Sequence, residues 1–256
     1  MTTGYSRPQA DQELAPGAVH VWHDRLLPGQ EDRRQNAARA TVPESEHERC
    51  ARFRHEDGRQ ECLAARHMVR TVLSSYEPGV PPTAWQFGTN EFGRPFVAAP
   101  LVPTPPRFNL THAGGLIACV VSRTLEVGID VEPIGRRTPL AVAESRFAAT
   151  EHDALVRLPL ADRPRRFLEY WTLKEAYIKA RGAGLSLGLD RFAFDLAPPA
   201  RPRISFAPGF DDDPAHWQFD LVVLDEAFLM AVATRTRGAG PVSLNIRPLP
   251  LVAPAP

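Results

Sequence analysis

The sequence predicts an α+β fold made of two similar halves. The first observation is the order of elements, because a strand followed by helices and further strands occurs twice, with a seam near residues 122–126. The second is length, since 256 residues allow two domains of about 110 to 130 residues, each with its own core. The third is composition, since 43% hydrophobic and 23% charged residues are typical of a globular protein.

The first half is predicted to span residues 17–124, after a polar arm at residues 1–16. Residues 18–26 alternate apolar and polar side chains, which predicts a strand. Residues 43–76 carry apolar side chains at helical spacing, which predicts two helices hinged near Asp57. The glycine in the segment EFGRPFV then predicts a turn into a short strand.

The second half is predicted to span residues 125–248, before a proline-rich tail at residues 249–256. Helical spacing returns over residues 139–181. Short apolar runs bounded by turn residues predict the other strands of the chain. These runs are residues 108–111, 116–121, 126–131, 216–224, 228–234 and 242–246.

The balance of charge excludes two classes of partner. Thirty basic residues face thirty acidic ones, so the chain lacks the basic surplus with which proteins grip nucleic acid or an anionic membrane. No apolar run approaches the roughly 18 residues of a membrane span. The first residues, MTTGYSRPQADQ, lack the layout of a signal peptide. We therefore expect a cytoplasmic protein with no nucleic-acid or membrane partner.

The pattern of the three cysteines is also typical of a cytoplasmic protein. Cys50, Cys62 and Cys119 form no CxxC pair, and any disulfide scheme leaves one of them over. Structural disulfides are rare where thiols are kept reduced. The cysteine content therefore favours a reducing compartment.

Two carboxylates share one face of a predicted strand in the segment EVGIDVE. Side chains at positions i and i+2 of a strand project the same way about 6 to 7 Å apart, a separation that one hard divalent cation can bridge. This places Asp130 beside Glu132, and Gly128 leaves room for a ligand. A solvated strand face is the alternative interpretation.

The segment RRFLEYWTLKEAYIKARGAGLSL predicts a helix that begins with arginines and stops at Gly182 in the C′ position. At about 100° per residue its apolar side chains form one continuous arc, and Lys174 falls inside that arc. Glu175 lies at the border of the arc, and Lys179 lies one turn further on.

These two lysines stand out because Lys174 and Lys179 are the only lysines among thirty basic residues. Lysine is a compact point charge, which suits a position close to a phosphate or a proton-transfer centre. A buried lysine must extend to solvent or meet a partner charge. The alternative interpretation is such a lysine together with an ordinary pair between Glu175 and Lys179.

A histidine closes the predicted strand in FNLTHAGG. His112, with Thr111 beside it, precedes two glycines that allow close approach of a backbone to a ligand. A histidine there could donate to a phosphate oxygen. A capping or packing role is the alternative.

Taken together, these segments resemble the Sfp-type 4′-phosphopantetheinyl transferases. GIDVE is followed some forty residues later by WTLKEAYIK, with NLTH upstream and EFGRP before that. ARFRHEDGRQECLAARHMVR resembles the family's N-terminal helical segment, and GAGLSLGLD resembles the loop after its motif helix. The resemblance covers the chain from about Cys50 to Phe194. It implies two halves related by a pseudo-twofold axis, with coenzyme A in the cleft between them.

The resemblance also implies roles for individual residues. Asp130, Glu132 and Glu175 match the family's magnesium-binding acids. Lys179 matches the lysine that faces the pyrophosphate, and Lys174 is a further candidate for stabilising the leaving phosphate. The implied contacts with the nucleotide are Arg49, Arg94, Thr111 and His112, with arginine at position 94 where the GKP-like motif has lysine.

The implied reaction is a magnesium-dependent phosphoryl-type transfer. A serine hydroxyl of an apo acyl or peptidyl carrier protein attacks the β-phosphate of coenzyme A, and 3′,5′-ADP leaves. Glu175 is the candidate for activating the hydroxyl, and Asp130 and Lys179 complete the catalytic set. A monomer suffices for this arrangement. A magnesium-dependent phosphoesterase and a non-catalytic coenzyme A binding module are the alternatives.

Overall fold

The computed structural model describes residues 14–197 and 200–250, and the chain divides into two units. The first unit contains Met1–Gly88, Pro95–Thr124 and Leu244–Pro256. The second contains Thr89–Arg94 and Leu125–Ser243. Most of the predicted polar arm and of the predicted tail lies outside the described residues.

The helices and strands follow one another in mixed order. The helices are α1 Glu31–Thr41, α2 Glu44–Ala51, α3 Glu56–Tyr76, α4 Leu140–Arg146, α5 Ala149–Val156 and α6 Arg163–Arg181. The strands are β1 Val19–Arg25, β2 Gln86–Thr89, β3 Pro95–Ala99, β4 Arg107–Ala113, β5 Leu116–Ser122, β6 Glu126–Pro133, β7 Phe192–Asp195, β8 Arg203–Phe206, β9 Trp217–Leu224, β10 Phe228–Arg235 and β11 Leu244–Pro248. Within the described part of the chain, none of the helices combines the length and apolar character of a bilayer span.

A four-stranded sheet with the order β11-β1-β5-β4 forms the centre of the first unit. Strand β5 is buried along its whole length because it lies between two neighbours and under α3. The apolar face of α3, formed by Met68, Val69, Val72 and Leu73, packs into this core. Leu14 also packs there, so the predicted polar arm includes a buried residue of the core.

The last strand differs from the sequence-based expectation. Residues 242–246 were predicted as part of the second half, whereas β11 pairs in parallel with β1 and belongs to the first unit. Pairing between strands so distant in sequence has no local signal, which is why element order alone assigns β11 to its nearest neighbours. At the end of β11, the Leu249 amide donates to the carbonyl of His23, and its side chain is buried.

The break between the second and third helices also lies elsewhere than predicted. The hinge was predicted near Asp57, but α2 ends at Ala51 and α3 already begins at Glu56. Glu56 and Asp57 form the first turn of α3, where the positive end of the helix dipole favours carboxylates. The glycine that follows lies inside the helix and does not end it.

The second unit is built on a three-stranded antiparallel sheet with the order β6-β10-β9. Helix α6 packs across β6 and β10. Its buried side chains Phe167, Tyr170, Leu173 and Tyr177 form a core with residues of the sheet and of the small β7–β8 hairpin. The predicted stop at Gly182 is confirmed, since this residue follows α6 with a left-handed φ of 64°.

Two of the three cysteines are paired, which the predicted reducing compartment does not favour. Cys50 of α2 and Cys62 of α3 form a disulfide, with 5.6 Å between their Cα atoms. Cys119 is a buried thiol on β5, and burial raises its pKa. One cysteine is left over, as the odd number requires, and the disulfide ties α2 to α3 in the first unit.

Reducing this disulfide is expected to lower the free energy of unfolding by about 2–3 kcal/mol, because the unfolded chain regains the entropy that the cross-link removes. The loss is no larger because the bridged residues are close in sequence. Denaturant unfolding with and without dithiothreitol measures the loss. A variant with both Cys50→Ser and Cys62→Ser should not respond to the reductant. Alkylation of three thiols in the unreduced, unfolded protein, instead of Cys119 alone, would refute the pairing.

Candidate active site and metal centre

Two of the candidate carboxylates lie on β6 with little exposure. Asp130 and Glu132 are 6% and 7% exposed. They face Ala231 and Leu229 of β10 across the antiparallel ladder. Because they are two positions apart in a strand, their side chains leave the same face of the sheet.

Helix α6 approaches that strand at Gly128. A Cβ atom added to Gly128 would lie 2.2 Å from the Ala176 carbonyl oxygen and 2.4 Å from the Ala180 nitrogen. Only a glycine permits the two backbones to come so close. Glu175 and Lys179 immediately precede the two alanines, so the contact brings both of them next to the strand that carries Asp130.

Two of the carboxylates are held by cationic side chains. The Lys179 ammonium donates to Oδ1 of Asp130 at 2.7 Å. Glu132 forms an ion pair with Arg136, four residues further along the chain. Lys179 therefore already occupies the position of a counter-ion to one of the predicted metal ligands.

Glu175 differs from the other two acids. Among the described residues, none forms a hydrogen bond or ion pair with its carboxylate. Burial raises the pKa of Glu175, and the neighbouring charges of Asp130 and Glu132 raise it further, while Lys179 opposes them. The three acids therefore interact electrostatically, and Glu175 is the one that most lacks compensation.

The donor chemistry of this group fits magnesium, although the group is not arranged as a set of ligands. Within the described part of the chain, no three His, Cys, Asp or Glu side chains are placed as a ready metal site. Magnesium prefers carboxylate oxygens and usually takes only one or two from the protein, with phosphates and water completing its shell. A cation there would relieve the repulsion that raises the pKa of Glu175.

The structure corrects the predicted role of Lys174 as a coenzyme A contact. Its side chain is fully buried, and its ammonium lies 2.7 Å from Glu151 Oε2 on α5. It also donates to the carbonyls of Leu189 at 2.7 Å and Phe192 at 2.6 Å. With three acceptors around it, the ammonium has no donor left for a phosphate, so Lys174 serves the packing of α6.

Arg94, a predicted nucleotide contact, donates to backbone carbonyls of the second unit. Its guanidinium bonds the carbonyl of Ala180 at the end of α6 and that of Val127 on β6, the latter at 3.2 Å. The nucleotide contact stays a prediction. The hydrogen bonds that the structure contains connect the two elements that carry the acidic group.

The remaining predicted contacts lie in the first unit. Arg49 is exposed in the last turn of α2, next to Cys50. Thr111 is buried on β4, whereas the His112 side chain is 48% exposed. Nδ1 of His112 lies 3.0 Å from Glu61 of α3, so a carboxylate orients the imidazole.

Sequence reasoning missed the partners of these side chains. Glu61 also accepts a hydrogen bond from the amide of Gly115 and so holds the turn after His112. Glu151 lies on another helix than Lys174, and Asn90 lies far in sequence from the helix end that it bonds. None of these pairings has a local signal. Arg136 stands four residues from Glu132, but across a turn, where helical spacing rules do not apply.

Comparison with known proteins gives the same family for both parts of the chain. Residues 126–233 match the family model for the 4′-phosphopantetheinyl transferase superfamily. Residues 30–124 match the model described as 4′-phosphopantetheinyl transferase, N-terminal. The first match lies within the second unit, and the second match lies within the first unit except for Thr89–Arg94.

Individual relatives extend this similarity over most of the chain. The 4′-phosphopantetheinyl transferase HetI of Nostoc sp. is 30% identical over 229 residues, which cover 89% of this chain and 92% of HetI. A 4′-phosphopantetheinyl transferase of Bacillus subtilis is 32% identical over 75% of this chain and 81% of its own length. The transferase Sfp of Bacillus subtilis strain 168 is 30% identical over 69% of this chain and 75% of Sfp.

These matches confirm the resemblance seen in the motifs and the predicted α+β class. A crystal structure of Thermotoga maritima holo-[acyl-carrier-protein] synthase also aligns, at 24% identity and a TM-score of 0.36, over 43% of this chain and 61% of that one. The likeness to HetI spans nearly the full length of both proteins. The chain belongs to the 4′-phosphopantetheinyl transferase family, within which it resembles the Sfp-type enzymes.

Proposed function

We propose that the protein transfers the 4′-phosphopantetheine group of coenzyme A to a serine hydroxyl of apo acyl or peptidyl carrier proteins, with magnesium, releasing 3′,5′-ADP. The observation that carries the proposal is the group formed by Asp130, Glu132, Glu175 and Lys179 where α6 meets β6. Both elements lie inside the part of the chain that matches the superfamily model.

Asp130, Glu132 and Glu175 would hold the magnesium ion. Bound there together with a diphosphate, it would stabilise the charge that develops on the phosphate oxygens. With Asp130 engaged by a cation, Lys179 would be available to bind the diphosphate. Its flexible stem and partly exposed side chain, 28% by area, suit that role.

Glu175 would act as the general base. Among the described residues none bonds its carboxylate, so an oxygen of this carboxylate is open to accept a proton. The serine oxygen forms a bond to the phosphorus that carries pantetheine, while the bond from that phosphorus to the bridging oxygen breaks. The serine proton goes to Glu175, and Lys179 stabilises the negative charge on the departing 3′,5′-ADP.

Arg49, Thr111 and His112 would contact the nucleotide part of coenzyme A, whereas the guanidinium of Arg94, predicted together with them, bonds the carbonyls of Ala180 and Val127. The support is greatest for His112, because its half-exposed imidazole is oriented by Glu61 through Nδ1, which leaves the other ring nitrogen for a ligand. Lys174 has no place in this set. The proposal also includes a monomeric, cytoplasmic enzyme without a nucleic-acid partner, and the balanced charge of the chain supports the last of these three points.

Intact mass spectrometry tests the reaction with coenzyme A, magnesium and a panel of apo carriers from fatty acid, polyketide and nonribosomal peptide synthesis. We expect one carrier or more to gain the mass of phosphopantetheine. Glu175→Gln should slow this transfer about a hundredfold or more, since a positioned base contributes about 10²–10⁴-fold. Glu169→Gln, the same charge change on α6 in a residue paired with Arg165 and Arg166, is the control.

Other products would refute the proposal. Free phosphopantetheine with unmodified carriers would indicate a hydrolase. Coenzyme A that binds but is never consumed with any carrier would indicate a binding module.

A further inference from the structure

The turn Thr89–Arg94 belongs to the second unit and contacts the end of α6. A helix leaves its last four carbonyls without partners in the helix. The Asn90 amide donates to the carbonyl of Gly182 at 2.7 Å, and Arg94 donates to that of Ala180. Two side chains of this turn therefore satisfy carbonyls in the turn of α6 that carries Lys179.

Asn90 also orders the turn from which Arg94 extends. Its Oδ1 accepts from the Arg94 amide at 2.8 Å and from the Phe92 amide at 3.0 Å. The side-chain nitrogen of Asn90 donates to the carbonyl of Gly182, so one end of this side chain bonds the turn and the other bonds the end of α6. The backbone of Arg94 is thus held by Asn90, and its guanidinium extends from this fixed point to the helix.

The guanidinium of Arg94 connects α6 to β6. One nitrogen bonds Ala180, the residue after Lys179, and the other bonds Val127, the residue before Gly128. Gly128 is the point where the two backbones come closest. Arg94 therefore joins the helix and the strand directly beside the contact that sets their separation.

We propose that Arg94, ordered by Asn90, is a positioning residue that sets Lys179 and Glu175 against Asp130. This inference rests on the proposed function, because it concerns the geometry of the same group. The planar guanidinium of arginine can bond two carbonyls on different elements at once, and it does so more rigidly than a lysine ammonium on a flexible side chain. The positive charge also suits the negative end of the helix dipole.

Gly182 supports this arrangement. A Cβ atom at that position would lie 2.7 Å from Cδ of Arg94, so the arginine stem crosses the space that a side chain would fill. Gly182 also has a φ of 64°, which ends the helix and exposes its carbonyl to Asn90. The helix end and the turn are thus complementary in shape as well as in hydrogen bonding.

Arg94→Gln and Arg94→Lys test the inference, with Arg157→Gln, an exposed arginine of the same unit, as control. The first measurement is the affinity for 3′,5′-ADP, which carries the nucleotide but no diphosphate. The second is the split between kcat and KM, together with the magnesium concentration that gives half the maximal rate. The third is amide hydrogen exchange in the last turn of α6.

We expect both variants to keep the affinity for 3′,5′-ADP within about twofold. Their kcat should fall about tenfold to a hundredfold, because the catalytic groups are displaced. The magnesium concentration that gives half the maximal rate should rise. Exchange at residues 179–182 should become faster. Arg94→Lys keeps the charge and should fold even if Arg94→Gln does not, yet it should show the same pattern in weaker form.

A fall in 3′,5′-ADP affinity that matches the fall in activity, with unchanged kcat and magnesium requirement, would overturn the inference in favour of a nucleotide contact. Unchanged hydrogen exchange in both variants would overturn it independently of any activity. Failure of the proposed function looks different, since the wild-type protein would then modify no carrier while the exchange result still stands.

Discussion

The Gly128→Ala variant is expected to lose about 3 kcal/mol of folding free energy, at the upper end of the range for overpacking. The added Cβ would lie 2.2 Å from one backbone atom of α6 and 2.4 Å from another. Neither is the end of a flexible side chain, so the helix itself must move away from β6. Chemical denaturation measures the loss.

The same variant should lose activity beyond its loss of stability. Moving α6 separates Glu175 and Lys179 from Asp130, and a displacement of about 1 Å in an active site can cost about a hundredfold. Transfer rates are therefore compared at a temperature where the variant is folded. Gly135→Ala is the matched control, because a Cβ atom there meets nothing within 4 Å. Wild-type activity and stability in Gly128→Ala would contradict the close contact.

The Lys174→Met variant is expected to lose about 3–5 kcal/mol, because it leaves the buried carboxylate of Glu151 without its counter-charge. Lys174 is 0% exposed and Glu151 is 1% exposed. The ammonium also lies 4.3 Å from the centre of the Phe192 ring, so the cation is enclosed on several sides. Denaturant unfolding at neutral pH gives the size of the effect.

The pH dependence of that loss identifies its cause. Burial raises the pKa of Glu151, so the folded chain binds this proton more readily than the unfolded chain does. Stability therefore returns as pH falls toward that pKa, and the deficit of Lys174→Met should shrink on acidification from neutral pH. Adding Glu151→Gln removes both charges and should recover most of the loss. A deficit that is independent of pH would indicate lost packing instead of a stranded charge.

Much of the second unit could be predicted from local pattern. The alternation in EVGIDVE, the apolar arc of the motif helix and the stop at Gly182 each depend on residues close in sequence, and β6 and α6 follow them. The position of Lys174 inside the apolar arc also showed that it must be buried or extend to solvent. The structure decides between burial and extension to solvent, because the buried ammonium of Lys174 pairs with Glu151, which lies on α5.

The parts that could not be predicted depend on contacts between distant residues. Nothing in the sequence indicates that β11 pairs with β1, or that Arg94 bonds carbonyls at the end of α6. The disulfide between Cys50 and Cys62 likewise depends on how α2 packs against α3. The motif pattern predicted that Asp130, Glu132, Glu175 and Lys179 belong to one group, and the structure shows in addition that Lys179 and Arg136 hold two of its carboxylates.

Calorimetric titration, with magnesium and with EDTA, tests most directly whether the acids on β6 and α6 bind a cation that holds a diphosphate. Coenzyme A, which contains the diphosphate, should bind about tenfold tighter with magnesium, a coupling of ordinary size. The affinity for 3′,5′-ADP should change little, and the magnesium effect on coenzyme A should vanish when Asp130→Asn is combined with Glu132→Gln. Equal affinity for coenzyme A in magnesium and EDTA, or a magnesium effect that survives in the double variant, would contradict the account.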